Sequence, residues 1–285
     1  MRRGLCLILF LIIYFNNLSG EQSIPTTPEE RYNNIIELDW KDARTHSLPS
    51  SHSTVTLPAD HFIVIGADAK EFDRLNGNMT NAPLEAVICD GSLNNSIYFE
   101  YRNDGYVSTK DWKDIDANEF INAVSENTEK DNIERRKLGM SELHVKGWLK
   151  EPTLDKKTNT VYWAIEAQDR ESLIVNSVAL KLGRRGYEKV VLVTNKDSYS
   201  PIGGELDVML QSHSFDEGYR YGDFTPGDQI ATYGIATLVA ATVGAKVLKS
   251  AGFALLLKKL GGFLAALGAA ALFKFKSLFR REKQR

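Results

Sequence analysis

Over residues 143–194 the chain alternates apolar and polar side chains in four successive segments, 143–149, 160–167, 173–182 and 187–194. Period-two alternation sends one set of side chains to each face of a strand, so these segments read as four β-strands. The connections are short and carry turn chemistry: Pro152 and Asp155 precede the second strand, and Gly183-Arg184-Arg185-Gly186 joins the third to the fourth. Strands joined so tightly pair antiparallel, because a parallel pair needs a crossover of a dozen or more residues. An antiparallel meander is therefore the frame that the other segments must cover.

Upstream, strands are predicted at 53–57, 61–65, 84–89 and 96–101, the last turning through Asn103-Asp104-Gly105 into a partner at 106–109. Asp68 and Glu71 open a short helix. A longer one starts at Asp116, whose side chain caps while Glu119 reaches back. Its stripe Ala117, Phe120, Ile121 and Val124 has helical spacing, its last turn is basic (Arg135, Arg136, Lys137), and Gly139 ends it. Residues 203–212 offer another short helix. Residues 22–60 are mixed, and the patch THSLPSSHSTVTLP within them reads as a linker decorating the core. The expected class is α+β, a mainly antiparallel sheet with a few covering helices, plus a C-terminal transmembrane helix.

That last element comes from charge and hydropathy. Arg2 and Arg3 precede an apolar run ending at Phe15, the layout of a signal peptide over residues 1–20. Residues 21–229 hold 23 basic and 36 acidic side chains, a net of −13, whereas residues 230–285 hold ten basic and one acidic, a net of +9. Residues 230–245 (IATYGIATLVAATVGA) carry no charge. The reading is an extracytoplasmic domain at 21–228 and a spanning helix at 229–249. A second apolar or interfacial segment and a basic cytoplasmic tail follow at 250–285, since Lys- and Arg-rich ends stay inside. Thr225-Pro226 fits the start of the span. Phe215, Tyr219, Tyr221, Phe224 and Tyr233 fit an interfacial aromatic belt. One crossing is preferred; a second would bury Lys258 and Lys259 at about 2.5–3.5 kcal/mol each. The expected location is the bacterial inner membrane with the bulk of the chain periplasmic. The expected partners are the lipid bilayer and other envelope proteins. Nucleic acid is excluded, because its binding needs a positive face.

No residue set has the spacing of a catalytic, cofactor or metal site, so no catalytic, cofactor-binding or metal-ligating residue is expected, and no cofactor. His46, His52, His61, His144 and His213 form no metal motif. Cys89, in an apolar run, reads as a buried hydrophobe. Gly203-Gly204 and Gly261-Gly262 lack the context of a phosphate loop. Asn176 interrupts the apolar face of Ile174, Val178, Leu180 and Leu182, and a buried amide needs partners, for which Glu166 and Tyr162 are the candidates. Arg184 and Arg185 read as a solvated turn pair or an anion contact.

Several stretches also resemble a known family. They include Gly147-Trp148 with Pro152 and Asp155, Trp163-Ala164, Val175-Asn176 and Leu180-Lys181-Leu182-Gly183-Arg184. Phe215-Asp216-Glu217-Gly218, Tyr219 to Asp223, and Pro226-Gly227-Asp228 leading to Ala231-Thr232-Tyr233-Gly234 complete the set. Together they are similar to an uncharacterised bacterial membrane-anchored family, domain of unknown function 2167, with weaker similarity reaching back to about Ile36. The chain departs from the family pattern at Leu154 and Ser177, positions usually or often aromatic. The resemblance implies a tethered extracytoplasmic protein and supplies no catalytic residues. Two function classes follow: a non-catalytic binding or scaffolding module of the cell envelope, and, as the alternative, an envelope hydrolase gathering Glu166, Asp169 and His144.

Overall fold

A computed structural model describes residues 27–242 apart from 43, 77–82, 92–94, 138–140, 171 and 201–203. The expected signal peptide at 1–20 and the segment 250–285 lie outside the described residues.

Thr27 opens the first helix, α1 (Pro28–Ile36): its hydroxyl accepts from the Glu30 amide at 3.1 Å, and Pro28 occupies the first turn. The cap, proline and acidic first turn are the sequence signals of a helix start. There follow β1 (Thr45–Leu48), β2 (Ser53–Thr56), β3 (His61–Ile65), α2 (Ala67–Leu75), β4 (Leu84–Asp90), β5 (Ser96–Arg102) and β6 (Tyr106–Ser108). Next come α3 (Ala117–Lys137), β7 (Leu143–Asp155), β8 (Thr160–Asp169), β9 (Ser172–Leu182) and β10 (Tyr187–Asn195). The described chain closes with α4 (Glu205–Ser212), β11 (His213–Phe215), β12 (Ile230–Gly234) and α5 (Ile235–Ala241). The Asp116 cap of α3 is present, its Oδ1 accepting from the Asn118 and Glu119 amides at 2.8 and 3.1 Å.

The frame is a seven-stranded sheet of order β3-β4-β5-β10-β9-β8-β7 in which every neighbouring pair is antiparallel. The α+β class is as expected. Two meanders, β3–β5 and β7–β10, meet at β5 and β10. On one face Ile35, Phe72, Phe120, Val124, Ile235 and Leu238 from the helices cover strand residues such as Tyr98, Trp163, Leu180 and Val191. On the other, a small sheet of order β1-β2-β11 and helix α4 cover Ile63, Ile88, Phe99 and Leu192.

Four sequence expectations are corrected here. The supposed linker is the β1–β2 hairpin, whose Leu48, Val55 and Leu57 are buried in the second core; short strands rich in Ser and Thr hide their apolar period. The hairpin at Asn103-Asp104-Gly105 does not form. Both edges of β5 are taken by β4 and β10, so the chain leaves the sheet at Gly105 (φ +92) and β6 pairs in parallel with β12. The span expected at 229–249 starts as strand β12, and the α5 that follows is buried among the helices, with Ile235, Leu238 and Val239 in the core. Asp111 caps α5, accepting from the Ala236 amide at 3.3 Å, and a Cβ at Gly234 would collide with that carboxylate. No helix among the described residues is long and apolar enough to cross a membrane; the remainder of that span, 243–249, lies outside them. Finally, Thr225-Pro226 begins no helix: Asp228 folds back to accept from the Thr225 amide at 2.7 Å, closing a turn.

Candidate functional site

Where β3 begins, β4 ends and α4 starts, a cleft of about 300 Å3 brings together His61, Asp90, Asn95 and Glu205 over an apolar wall of Pro58, Val208 and Met209. Its polar groups are held from behind. Thr194, buried at the end of β10, donates its hydroxyl to Asn95 Oδ1, and Asn95 Nδ2 donates to Asp90 Oδ2 at 2.7 Å. This chain of bonds fixes the Asp90 carboxylate before any ligand arrives. Across the cleft, His61 Nδ1 faces the Ala59 carbonyl at 3.0 Å and Nε2 faces Glu205 Oε1 at 3.1 Å. With an acceptor at each nitrogen, the imidazolium donates twice. The Glu205 hydrogen bond, opposed by burial, raises the His61 pKa above its usual 6.5.

Between the two sheets lies a second polar group, buried and without a cleft. His213 Nε2 is 2.9 Å from Ser53 Oγ, which is 2.8 Å from Ser51 Oγ. Glu85 Oε1 accepts from the amides of Ser50 and Ser51. Lys181 Nζ donates to the carbonyls of Leu210, at 2.8 Å, and His213, so an ammonium closes the carbonyl end of α4. Burial lowers the Lys181 pKa to about 8, against the favourable charge of Glu188, and lowers His213 to about 3. Burial also pushes the Glu188 carboxyl well above the usual carboxylate range, with Glu85 adding to it. A serine hydroxyl beside a neutral histidine has the chemistry of a nucleophile and its base. Ser53 is 0% and His213 1% exposed, however, so no substrate reaches them. They satisfy one another only in part, since His213 Nδ1 and Glu85 Oε2 have no partner among the described residues.

The structure separates most of the residues singled out in the sequence. His46 Nε2 lies 2.9 Å from the Asp42 carbonyl, His52 stacks on Tyr219 with centroids 4.0 Å apart, and His144 Nδ1 is 2.8 Å from Glu129. Among the described residues no three His, Cys, Asp or Glu side chains gather as metal ligands. Cys89 is buried, which pushes its thiol up to about 12 and leaves it unreactive. The proposed partners of Asn176 are on the wrong side. Asn176 shares its face of β9 with Val178 and Leu180, under the helices, whereas Tyr162 packs in the core beneath the small sheet and Glu166 follows it by period two. Glu166 instead pairs with Lys196 at 2.6 Å. In the β7–β8 register Glu166 lies opposite Gly147, His144 opposite Gln168, and Asp169 opposite Leu143; Asp169, three positions from Glu166, falls on the other face of β8, so the hydrolase trio does not converge.

The aromatic residues expected as a belt make contacts within the fold, Phe215 buried and the other four half-buried. Tyr106 stacks on Tyr221 at 4.4 Å and meets Phe224 at 4.2 Å, Tyr221 donates to the Val107 carbonyl at 2.9 Å, and Tyr233 donates to Asp104. Phe215 is buried in β11, and Arg185 sits over the Tyr219 ring at 4.8 Å. Arg184 is a clamp, its Nε and Nη2 each 2.8 Å from the Asp228 carboxylate, which it holds well below the usual range. The cleft residues Asp90, Asn95 and Glu205 had no sequence signal, because His61 and Glu205 are 144 positions apart.

These observations define an α+β domain organised on an antiparallel sheet with a preformed polar cleft at one end. The chain belongs to the family described as protein of unknown function (DUF2167), whose model matches residues 41–273. Comparison with curated proteins gives no match. Among solved structures, the solution structure of cyanobacterial PsbP (CyanoP) from Synechocystis sp. PCC 6803 is similar at 12% identity and a TM-score of 0.38. That likeness covers 61% of this chain and 93% of that one.

Proposed function

We propose that the protein is a tethered extracytoplasmic module of the bacterial cell envelope that binds a ligand in the His61–Asp90–Glu205 cleft without transforming it. The observation that carries this reading is the preformed rim. Asp90 is oriented by Asn95 and Thr194, Glu205 by His61, and both face an apolar wall. Two carboxylates over Pro58, Val208 and Met209 suit an organic ammonium with a short apolar body. With residues 230–241 in the core, the reading moves the tether to 251–273, where Lys258 and Lys259 add a cost of about 2.5–3.5 kcal/mol each, and keeps the basic end from Lys274 on the cytoplasmic side.

One observation favours the hydrolase alternative: Asp90, Glu205 and His61 are acid–base groups sharing one cleft. A single set of samples tests both halves of the proposal, the cleft and the tether. The full chain in detergent is titrated with butylammonium chloride, and the expected result is saturable binding that Asp90→Asn weakens about tenfold, the loss of one charge-assisted contact. The full chain is expected to sediment with membranes, and a chain ending at residue 242 to leave them. Absence of saturable binding, or a full chain in the soluble fraction, removes the corresponding half of the proposal.

A further inference from the structure

A second cleft, of about 510 Å3, lies where the end of α3 meets β7 and β8. It is lined by Arg136, Ser141, Glu142, His144, Gln168 and Arg170. Its charge runs against that of the surrounding domain: residues 21–229 carry a net of −13, yet this lining has two guanidinium groups against one carboxylate. Lys146 adds a further cation at the rim, donating to Gln168 Oε1 at 3.1 Å.

The cations here are incompletely committed. Arg136 meets Glu142 at 2.9 Å, but the two side chains are 55% and 35% exposed, and an exposed pair exchanges partners at little cost. His144 is engaged by Glu129 at 2.8 Å. The Arg170 guanidinium makes no hydrogen bond or ion pair among the described residues; only its carbonyl is used, accepting from Gln168 Nε2 at 3.0 Å. Beneath the cleft, Arg135, 5% exposed, donates Nε to the Ser141 carbonyl, and its Nη1 has no partner among the described residues. Asp169 and Asp131 lie close enough to Arg135 to offset its charge, so the cations left for a ligand are Arg136 and Arg170.

The backbone supplies an independent observation. Asp169 pairs with Ser172, so β8 and β9 are joined by two residues, and Arg170, the first of them, has φ 47. A two-residue turn with a left-handed first position favours Asn, Asp or Gly. An arginine there works against the turn while its guanidinium is left at the cleft, and strain of this kind clusters where a side chain serves a ligand.

We propose that this cleft binds an oxyanion, carboxylate or phosphate, carried by a small hydroxylated ligand. Arg170 is the primary contact, Arg136 the second, and Ser141 and Gln168 are available to hydroxyl groups. The forked guanidinium donors match two oxyanion oxygens at once. The site is independent of the His61 cleft and opposite to it in ligand charge.

The test uses the full chain in detergent, titrated calorimetrically with sodium phosphate and with sodium citrate, and with sodium chloride at matched ionic strength. Saturable binding beyond chloride is expected, with the tighter of the two anions assigning phosphate or carboxylate. Arg170→Asn is expected to weaken it at least about tenfold while leaving Tm unchanged or higher, because Asn accepts the left-handed backbone. Glu142→Gln, which removes the competing carboxylate, is expected to tighten binding severalfold. Asp90→Asn, in the other cleft, is expected to leave it unchanged. A response equal to that of chloride, or an Arg170→Asn variant that binds as the parent does, overturns the proposal.

Discussion

The two faces of the seven-stranded sheet are closed by different means. Under the helices apolar packing dominates: Phe72 packs against Trp40 and Tyr98, Phe120 stacks on Trp148 at 5.2 Å, and α5 adds Ile235, Leu238 and Val239, while the buried Asp73, Asn132 and Arg135 lie on the helices themselves. Under the small sheet, apolar contact shares the space with Glu85, Glu188, Lys181, His213 and two serines. An apolar face tolerates any filling of the right volume, whereas buried charges demand particular partners in particular places. The helical face therefore sets stability, and the polar face fixes how β1, β2, β11 and α4 sit on the sheet, which in turn places Glu205 at the cleft.

That contrast can be broken first on the helical side. Leu238→Ala removes a fully buried side chain from α5 and is expected to cost about 2–5 kcal/mol by chemical denaturation, the range for large-to-small changes in a core. A surface-like effect would return residues 235–241 to the role of membrane anchor. On the polar side, Lys181→Met leaves the Leu210 and His213 carbonyls without their donor, with an expected loss of about 1–3 kcal/mol. Hydrogen exchange should show the opening confined to α4 and β11. A uniform loss across the sheet would mean that the two faces are not energetically distinct.

The smallest effect lies at the cleft and is read from pH. His61 has a raised folded pKa, so its contribution to stability is complete below the unfolded value of about 6.5 and is lost as pH rises through the folded value. His61→Gln is expected to flatten the fall in stability above the unfolded value of about 6.5, with the difference from the parent vanishing once pH exceeds the folded value. An unchanged slope would assign the dependence to another group.

Legibility followed range. The meander β7–β10, the start of α3 at Asp116 and the helices α2 and α4 were readable, since each rests on local periodicity or on a cap within a few residues. Of the Ser/Thr-rich hairpin, β2 was readable at 53–57 but β1 was not, because Leu48 is its only buried apolar residue. Residues 230–241 were misread for a related reason. An uncharged apolar run looks alike whether it enters a bilayer or a protein core, and its acceptor in this fold, the strand β6 and the cap Asp111, lies more than a hundred residues earlier. The His61 cleft was not legible, since it joins segments far apart in sequence, whereas the Arg170 cleft is local and went unread because its residues match no motif spacing.

By itself, the sequence determined the α+β class, the antiparallel meander, the charge divide at Gln229 and membership of a family, because periodicity, turn chemistry and composition act over a few residues at a time. Only the tertiary structure decided which strands flank β5, which face of β9 receives Asn176, and that His61, Asp90 and Glu205 meet. Those outcomes depend on which distant groups satisfy one another's hydrogen bonds and exclude water, an energy that exists only once the chain has closed on itself.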